Sequence, residues 1–262
     1  MAHRPWTREE TLVALNVYCR LPFGRLHARN NEIIAVATAL GRSPSSLAMK
    51  CCNLAAFDPV QQLRGIAGLR KASKLDEQVW NEFTADPESI SFEAEQALSS
   101  VTEQEMHLAD TVEWEDVHGL DRAAITKVRV NQHFFRAMIL ASYRTQCAVC
   151  ELPFPSLLVA SHIIPWSMDK SQRMNPCNGL CLCTLHDKAF DRGMLRIDPD
   201  LSIDLHDEVI AVGNLSAVND SFIKYRGRSI SLPDRWHPDE AFLMQRTSMY
   251  APQCNSPAKG LA

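Results

Sequence analysis

The chain has 262 residues, 46% of them hydrophobic and 22% charged, which is enough for one large or two ordinary globular cores and excludes a collagen-like, coiled-coil or wholly disordered polymer. No run approaches the roughly 18 apolar residues of a membrane span, so a soluble chain with no membrane partner is expected. The net charge of −4 conceals a division: residues 1–75 carry 11 Lys and Arg against 4 Asp and Glu, residues 76–121 carry 14 acidic residues and no Lys or Arg, and residues 122–262 carry 16 basic against 13 acidic.

A polyanion feels charge within a Debye length of about 10 Å, so the basic segments are candidates for phosphate binding despite the acidic total. Arg4 and Arg8 are followed by Glu9 and Glu10 with no apolar run, so no secretory leader is expected and the expected location is cytoplasmic. Thr7 with Glu9 and Glu10 marks a helix start, and Leu12, Leu15, Val17 and Tyr18 give that helix an apolar face until Pro22 and Gly24. A second helix runs through Ile33, Ile34, Val36, Ala37 and Leu40 to Gly41. Ser43 as cap and Pro44 at the first helical position then open a third helix through Leu47, Met49 and Leu54.

Helix, glycine turn and capped helix is a helix-turn-helix layout. The WTREE and LGRSPSSLAMK segments resemble Myb/SANT-like modules, which implies a recognition helix over 45–54 with Arg42, Ser45, Ser46 and Lys50 facing DNA. The alternative is a three-helix bundle used for packing or dimerisation. A short amphipathic helix follows over 75–83, with Val79 and Trp80 inward. The acidic stretch to Asp121 reads as a solvated linker with a helix or two, or as an internal mimic of nucleic acid lying in a basic groove.

Beyond it, Val130, Phe134, Met138, Leu140 and Ala141 mark the buried side of a helix whose polar side carries Arg129, Gln132, His133 and Arg136. Apolar runs at 157–160, 180–182, 195–197 and 201–205 predict short strands, and 238–246 predicts a closing helix. The expected organisation is therefore a helical module over 1–75, an acidic connector over 76–121, a mixed domain over 122–250 and a polar tail over 251–262.

The most specific pattern lies between 147 and 193. It runs from Cys147-x-x-Cys150 through a strand ending in Ser161-His162 and a loop to Asn178-Gly179, then into a second strand and a helix near His186. SHIIPW, NGL and FDRG in that order and spacing resemble one branch of the HNH, or ββα-metal, nuclease superfamily. The resemblance implies an α+β fold: a helical N-terminal module plus a ββα-metal domain of short antiparallel strands. It also implies His162 as the general base, Asn178 as the residue that aims it, and one divalent ion, Mg²⁺, Mn²⁺ or Ni²⁺, on the scissile phosphate. Imidazole suits that task because it titrates near neutral pH.

Ser161 stands where many relatives carry a metal-binding Asp or His. The candidate ligands for the catalytic ion are His186 or Asp187, with Asp191 one helical turn further on. Relatives also often hold a structural Zn²⁺ between two Cys-x-x-Cys pairs. Here Cys147 and Cys150 form the first pair, while Cys183 and His186 supply a Cys-x-x-His, so a Cys₃His zinc stands beside buried reduced thiols as the alternative. His186 cannot serve both sites.

Arg129, Arg136, Lys188 and Arg192 are further candidate phosphate contacts. The function implied is metal-dependent cleavage of double-stranded DNA in a restriction or defence role, with two copies of the chain for a double-strand cut. Its rivals are a non-cleaving, zinc-stabilised DNA-binding regulator and a nuclease toxin restrained by the acidic segment.

Overall fold

The computed structural model describes residues 4–65, 73–109 and 121–250. The expected tail at 251–262 and part of the acidic connector, 110–120, lie outside those residues.

Helix α1 (Arg8–Arg20) opens with a capping box in which Thr7 accepts from the Glu10 N–H and Glu10 accepts from the Thr7 N–H. Helices α2 (Asn31–Ala39) and α3 (Pro44–Ala55) follow, joined by a turn whose Gly41 has φ 64°. Ser43 caps α3 with Pro44 in its first turn, as the sequence predicts. Leu12, Leu15, Tyr18, Ile33, Ala37, Leu47 and Leu54 form the shared core, and a single turn, α4 (Pro59–Leu63), ends the module.

The acidic segment is not a tether where it is described. Ser73 caps α5 (Lys74–Ala85) and Asp86 caps α6 (Pro87–Thr102); Val79, Trp80, Phe83, Ile90 and Ala94 are buried in the same core as α1. Its carboxylates reach the basic module: Arg8 meets Glu82 at 2.7 Å and Glu93 at 2.8 Å, Arg20 meets Glu95 at 3.4 Å, and Lys50 is paired with Asp76. The density of acid hid a helical apolar period, which wins because burying Val79, Trp80, Phe83 and Ile90 outweighs solvating the charges between them.

The same pairing corrects two expected DNA contacts. Lys50 is 4% exposed, held by Asp76 and lying over the Trp6 ring. Arg42 bonds Glu10 at 2.6 Å and the carbonyl of Pro5 at 2.8 Å, with its guanidinium 4.0 Å above Trp6. Both cations tie chain segments together. Ser45 remains exposed and Ser46 half-buried at the start of α3.

Helix α7 (Arg122–Ser142) leads into the second half. Strands β1 (Leu158–His162) and β2 (Gly179–Cys183) pair antiparallel, and α8 (Thr184–Asp191) follows directly. A second hairpin, β3 (Leu195–Ile197) with β4 (Ile203–Leu205), precedes α9 (Asp207–Ala211), α10 (Ser216–Ser221) and the closing α11 (Glu240–Met249). The fold is α+β.

The halves are joined by a buried cation. Arg235 is 0% exposed and donates to the carbonyls of Tyr18, Cys19 and Leu21, the open end of α1, while its guanidinium lies against both the Tyr18 and the Trp236 ring. No helix among the described residues is long and apolar enough to cross a membrane.

Candidate active site and thiol cluster

The register of the first hairpin pairs His162 with Gly179 at one end and Leu158 with Cys183 at the other. Over five-residue strands those ends lie roughly 13 Å apart at about 3.3 Å per residue, and each carries its own chemistry.

At the first end, the His162 ring stacks on Phe135 of α7, centroids 4.2 Å apart and 9° between planes, with Trp166 edge-on at 5.1 Å. His162 Nε2 lies 2.9 Å from the Arg173 carbonyl. A carbonyl only accepts, so Nε2 carries the hydrogen and Nδ1 is the basic nitrogen of the neutral ring. Burial pushes this imidazole down to about 4, against an opposing contribution from the Arg173 carbonyl, so it is neutral at physiological pH.

Asn178 is 1% exposed and fixes the loop that carries His162. Its Oδ1 accepts from the Ile164 N–H at 2.7 Å, and its Nδ2 donates to the carbonyls of Ile164 and Gln172, each at 3.2 Å. The Ile163 N–H donates to the Asn178 carbonyl at 2.9 Å. Gly179 must lack a Cβ because one there would strike the Ile139 side chain and the Phe135 ring.

Helix α8 brings Asp187 against Ser161. Burial raises the Asp187 carboxyl and the neighbouring Asp191 adds to that, while Ser161 acts in the opposite direction. The Ser161 hydroxyl is buried and makes no hydrogen bond of good geometry. A half-buried carboxylate beside an unspent hydroxyl suits a hard divalent cation, which takes one or two carboxylates and leaves its other positions to water and phosphate oxygens.

Asp191 is exposed, with its carboxylate 3.5 Å from Arg246. Arg246 of α11, which sequence reasoning missed, is 3% exposed and donates to the carbonyls of Ile163 at 3.2 Å and Phe190 at 3.0 Å, locking the end of β1 to the end of α8. Arg173 lies over the Trp166 ring and Arg246 over the Phe190 ring.

At the second end, donor atoms of Cys147, Cys150, Cys183 and His186 lie within 4.8 Å of one another. His186 Nδ1 is 3.2 Å from Cys183 Sγ and 3.5 Å from Cys147 Sγ, and Cys150 Sγ is 4.0 Å from Cys183 Sγ. Ligands of a tetrahedral zinc stand roughly 3.3–3.8 Å apart, so this set fits a Cys₃His site. Nε2 of His186 donates to the Ser221 carbonyl at 2.8 Å, which leaves Nδ1 free to ligate.

Burial disfavours the charged imidazole, yet the two thiols raise His186 to about 10; hydrogen bonds from Cys147 and Cys150 hold the Cys183 thiol far below its ordinary value. His186 is thus turned to the thiols and away from Asp187, which corrects its expected place among ligands of the catalytic ion. A His-x-x-x helical spacing cannot show this, because the choice depends on which face of α8 meets the Cys147–Cys150 turn.

Two further expected phosphate contacts are spent internally. Arg136 donates to the carbonyls of Leu158 at 2.6 Å and Pro155 at 2.9 Å, and Arg129 donates twice to the Ala109 carbonyl. Each closes a chain reversal that sequence spacing cannot reveal. Lys188 and Arg192 on α8 and its cap are exposed.

A hairpin ending in a held imidazole, followed by a helix bearing carboxylates, is the architecture of the ββα-metal nuclease class. Residues 147–198, about a fifth of the 262-residue chain, match the family model described as HNH endonuclease, and the match takes in both ends of the hairpin. The resemblance of this segment to the HNH superfamily is thereby shown. No curated protein matches the chain.

Proposed function

We propose that this protein is a metal-dependent endonuclease acting on double-stranded DNA, with His162 as the general base. The observation that carries the reading is the bond from His162 Nε2 to the Arg173 carbonyl, which leaves Nδ1 bare on a ring clamped between Phe135 and Trp166. Nδ1 takes a proton from water as the water oxygen attacks phosphorus. The P–O3′ bond breaks, and the departing oxygen gains a proton from solvent, leaving a 3′-hydroxyl and a 5′-phosphate.

Asn178 aims the base by holding Ile164 and Gln172, so that no reorganisation is needed at the moment of attack. Asp187 with the Ser161 hydroxyl, and Asp191 one turn on, would hold a divalent ion, which would supply positive charge to offset the charge that develops on the phosphate. Cys147, Cys150, Cys183 and His186 hold a structural zinc that braces a hairpin of little core of its own. Lys188 and Arg192 steady the phosphate backbone, with Ser45 and Ser46 as a separate contact on the helical module. The biological setting that follows is restriction or defence, with two copies of the chain acting at one site.

Incubation of supercoiled plasmid with the full chain and Mg²⁺, Mn²⁺ or Ni²⁺ tests the reading. Cleavage is expected, with a loss of about 10²–10⁴ in rate on His162→Ala, the usual worth of a general base. Cleavage undiminished in His162→Ala overturns the assignment of the base. DNA binding without cleavage in any of the three metals favours the zinc-stabilised regulator, the reading that Ser161 in place of a stronger ligand would suit.

A further inference from the structure

Most basic side chains of the helical module are already held by carboxylates. Of the basic side chains at positions 4–65, Arg4 and Arg42 are held by Glu10, Arg8 by Glu82 and Glu93, Arg20 by Glu95, Lys50 by Asp76, and Arg64 approaches Asp234 at 3.7 Å. Among the described residues of this module, only Arg25 and Arg29 have no carboxylate partner. Both are exposed, and both line one surface cavity of about 390 Å³ together with His27, Asn30, Asn31, Glu32 and Leu21. That volume is within the range of ligand sites.

The backbone fixes this arrangement. The Arg25 N–H donates to the Pro22 carbonyl at 2.8 Å, the His27 N–H to the Arg25 carbonyl at 2.9 Å, and the Asn30 N–H to the His27 carbonyl at 3.0 Å. Leu26 is buried, Ala28 half-buried and Asn30 buried, so Arg25, His27 and Arg29 alternate outward from an anchored loop. Asn30 spends its Oδ1 on the N–H groups of Glu32 and Ile33, which fixes the cavity's edge at the start of α2. Glu32 is the one carboxylate on the lining, against two guanidinium groups.

We infer that this cavity seats the phosphodiester backbone of the DNA substrate away from the cut, with Arg25 and Arg29 as its cationic wall and His27 between them. The inference rests on the DNA substrate proposed above. Guanidinium groups not already paired are the ones able to release counterions from DNA, because an intramolecular partner must otherwise be given up first. The module's cationic contribution to binding thus comes from the loop before α2, not from Arg42 and Lys50 of the turn and α3.

The test is binding of a labelled DNA duplex by the full chain carrying His162→Ala, followed by anisotropy over a series of salt concentrations. Adding Arg25→Gln and Arg29→Gln together weakens binding and makes the slope of log K against log salt shallower by about 1.8, two phosphate contacts at about 0.9 each; each single change gives about half. An unchanged slope and affinity overturn the inference, as does a parent chain that fails to bind duplex. So does a variant that loses only inorganic phosphate, which would make the cavity a small-anion site. Plasmid cleavage by the unaltered chain, run in parallel, separates the two ideas: cleavage with an unchanged slope removes the cavity assignment alone, and a shallower slope without cleavage removes the nuclease reading alone.

Discussion

The two ends of the β1–β2 hairpin hold opposite kinds of chemistry only a few residues apart. The Leu158–Cys183 end gathers three soft sulfur donors and an imidazole, whereas the His162–Gly179 end offers a neutral imidazole, a half-buried carboxylate and an unspent hydroxyl. Soft ligands select zinc and hard oxygen donors select magnesium or manganese, so on the proposed reading a five-residue hairpin would keep a bracing metal apart from a working one. The difference teaches that α8 serves both ends: His186 faces the thiols while Asp187, the next residue, faces Ser161.

Breaking the thiol end has the largest expected effect. Cys183→Ser removes a ligand from a site whose metal contributes on the order of 10 kcal/mol in small zinc domains, so bound zinc is lost and the amides of Leu180 and Leu182 exchange rapidly. Elemental analysis and hydrogen exchange read both outcomes; retained zinc with slow exchange would show that the thiols are not a metal site.

At the other end, Asn178→Ala leaves the Ile164 and Gln172 groups without their partner and lowers stability by about 1–3 kcal/mol, with cleavage reduced and zinc content unchanged. Gly179→Ala drives a methyl into Ile139 and costs about 1–3 kcal/mol by overpacking, part of which Ile139→Ala restores; thermal unfolding of the single and double variants checks the coupling. The smallest effect belongs to Lys188→Gln, which leaves the melting temperature unchanged and makes the salt slope of duplex binding shallower by about 0.9.

Local signals carried much of this molecule. Thr7 with Glu10, Ser43 with Pro44, and the short apolar runs mark elements that form where expected, because caps and strand periods are set by neighbours in sequence. That His162 and Asn178 stand at one end of the same hairpin follows from the order of the SHIIPW and NGL segments, whose likeness to the HNH pattern is what points to them. What stayed hidden depends on partners far along the chain. Lys50 reads as a surface cation until Asp76, 26 positions on, covers it; Arg246 reaches back 83 positions to Ile163, and Arg235 reaches back 217 to Tyr18.

The acidic stretch misled for a related reason. Asp76 and Glu95 are buried among Val79, Trp80, Phe83, Ile90 and Ala94, and with Glu82 and Glu93 they complete ion pairs with the basic module. Net charge by segment could not distinguish a solvated linker from one half of a charge-matched bundle.

The division of labour along the hairpin is tested most directly by plasmid nicking and zinc content measured on the same preparation of Asp187→Asn. The account predicts that zinc is retained at the parental level while Mg²⁺-dependent nicking is lost. Nicking at the parental rate, or loss of zinc along with activity, would contradict it.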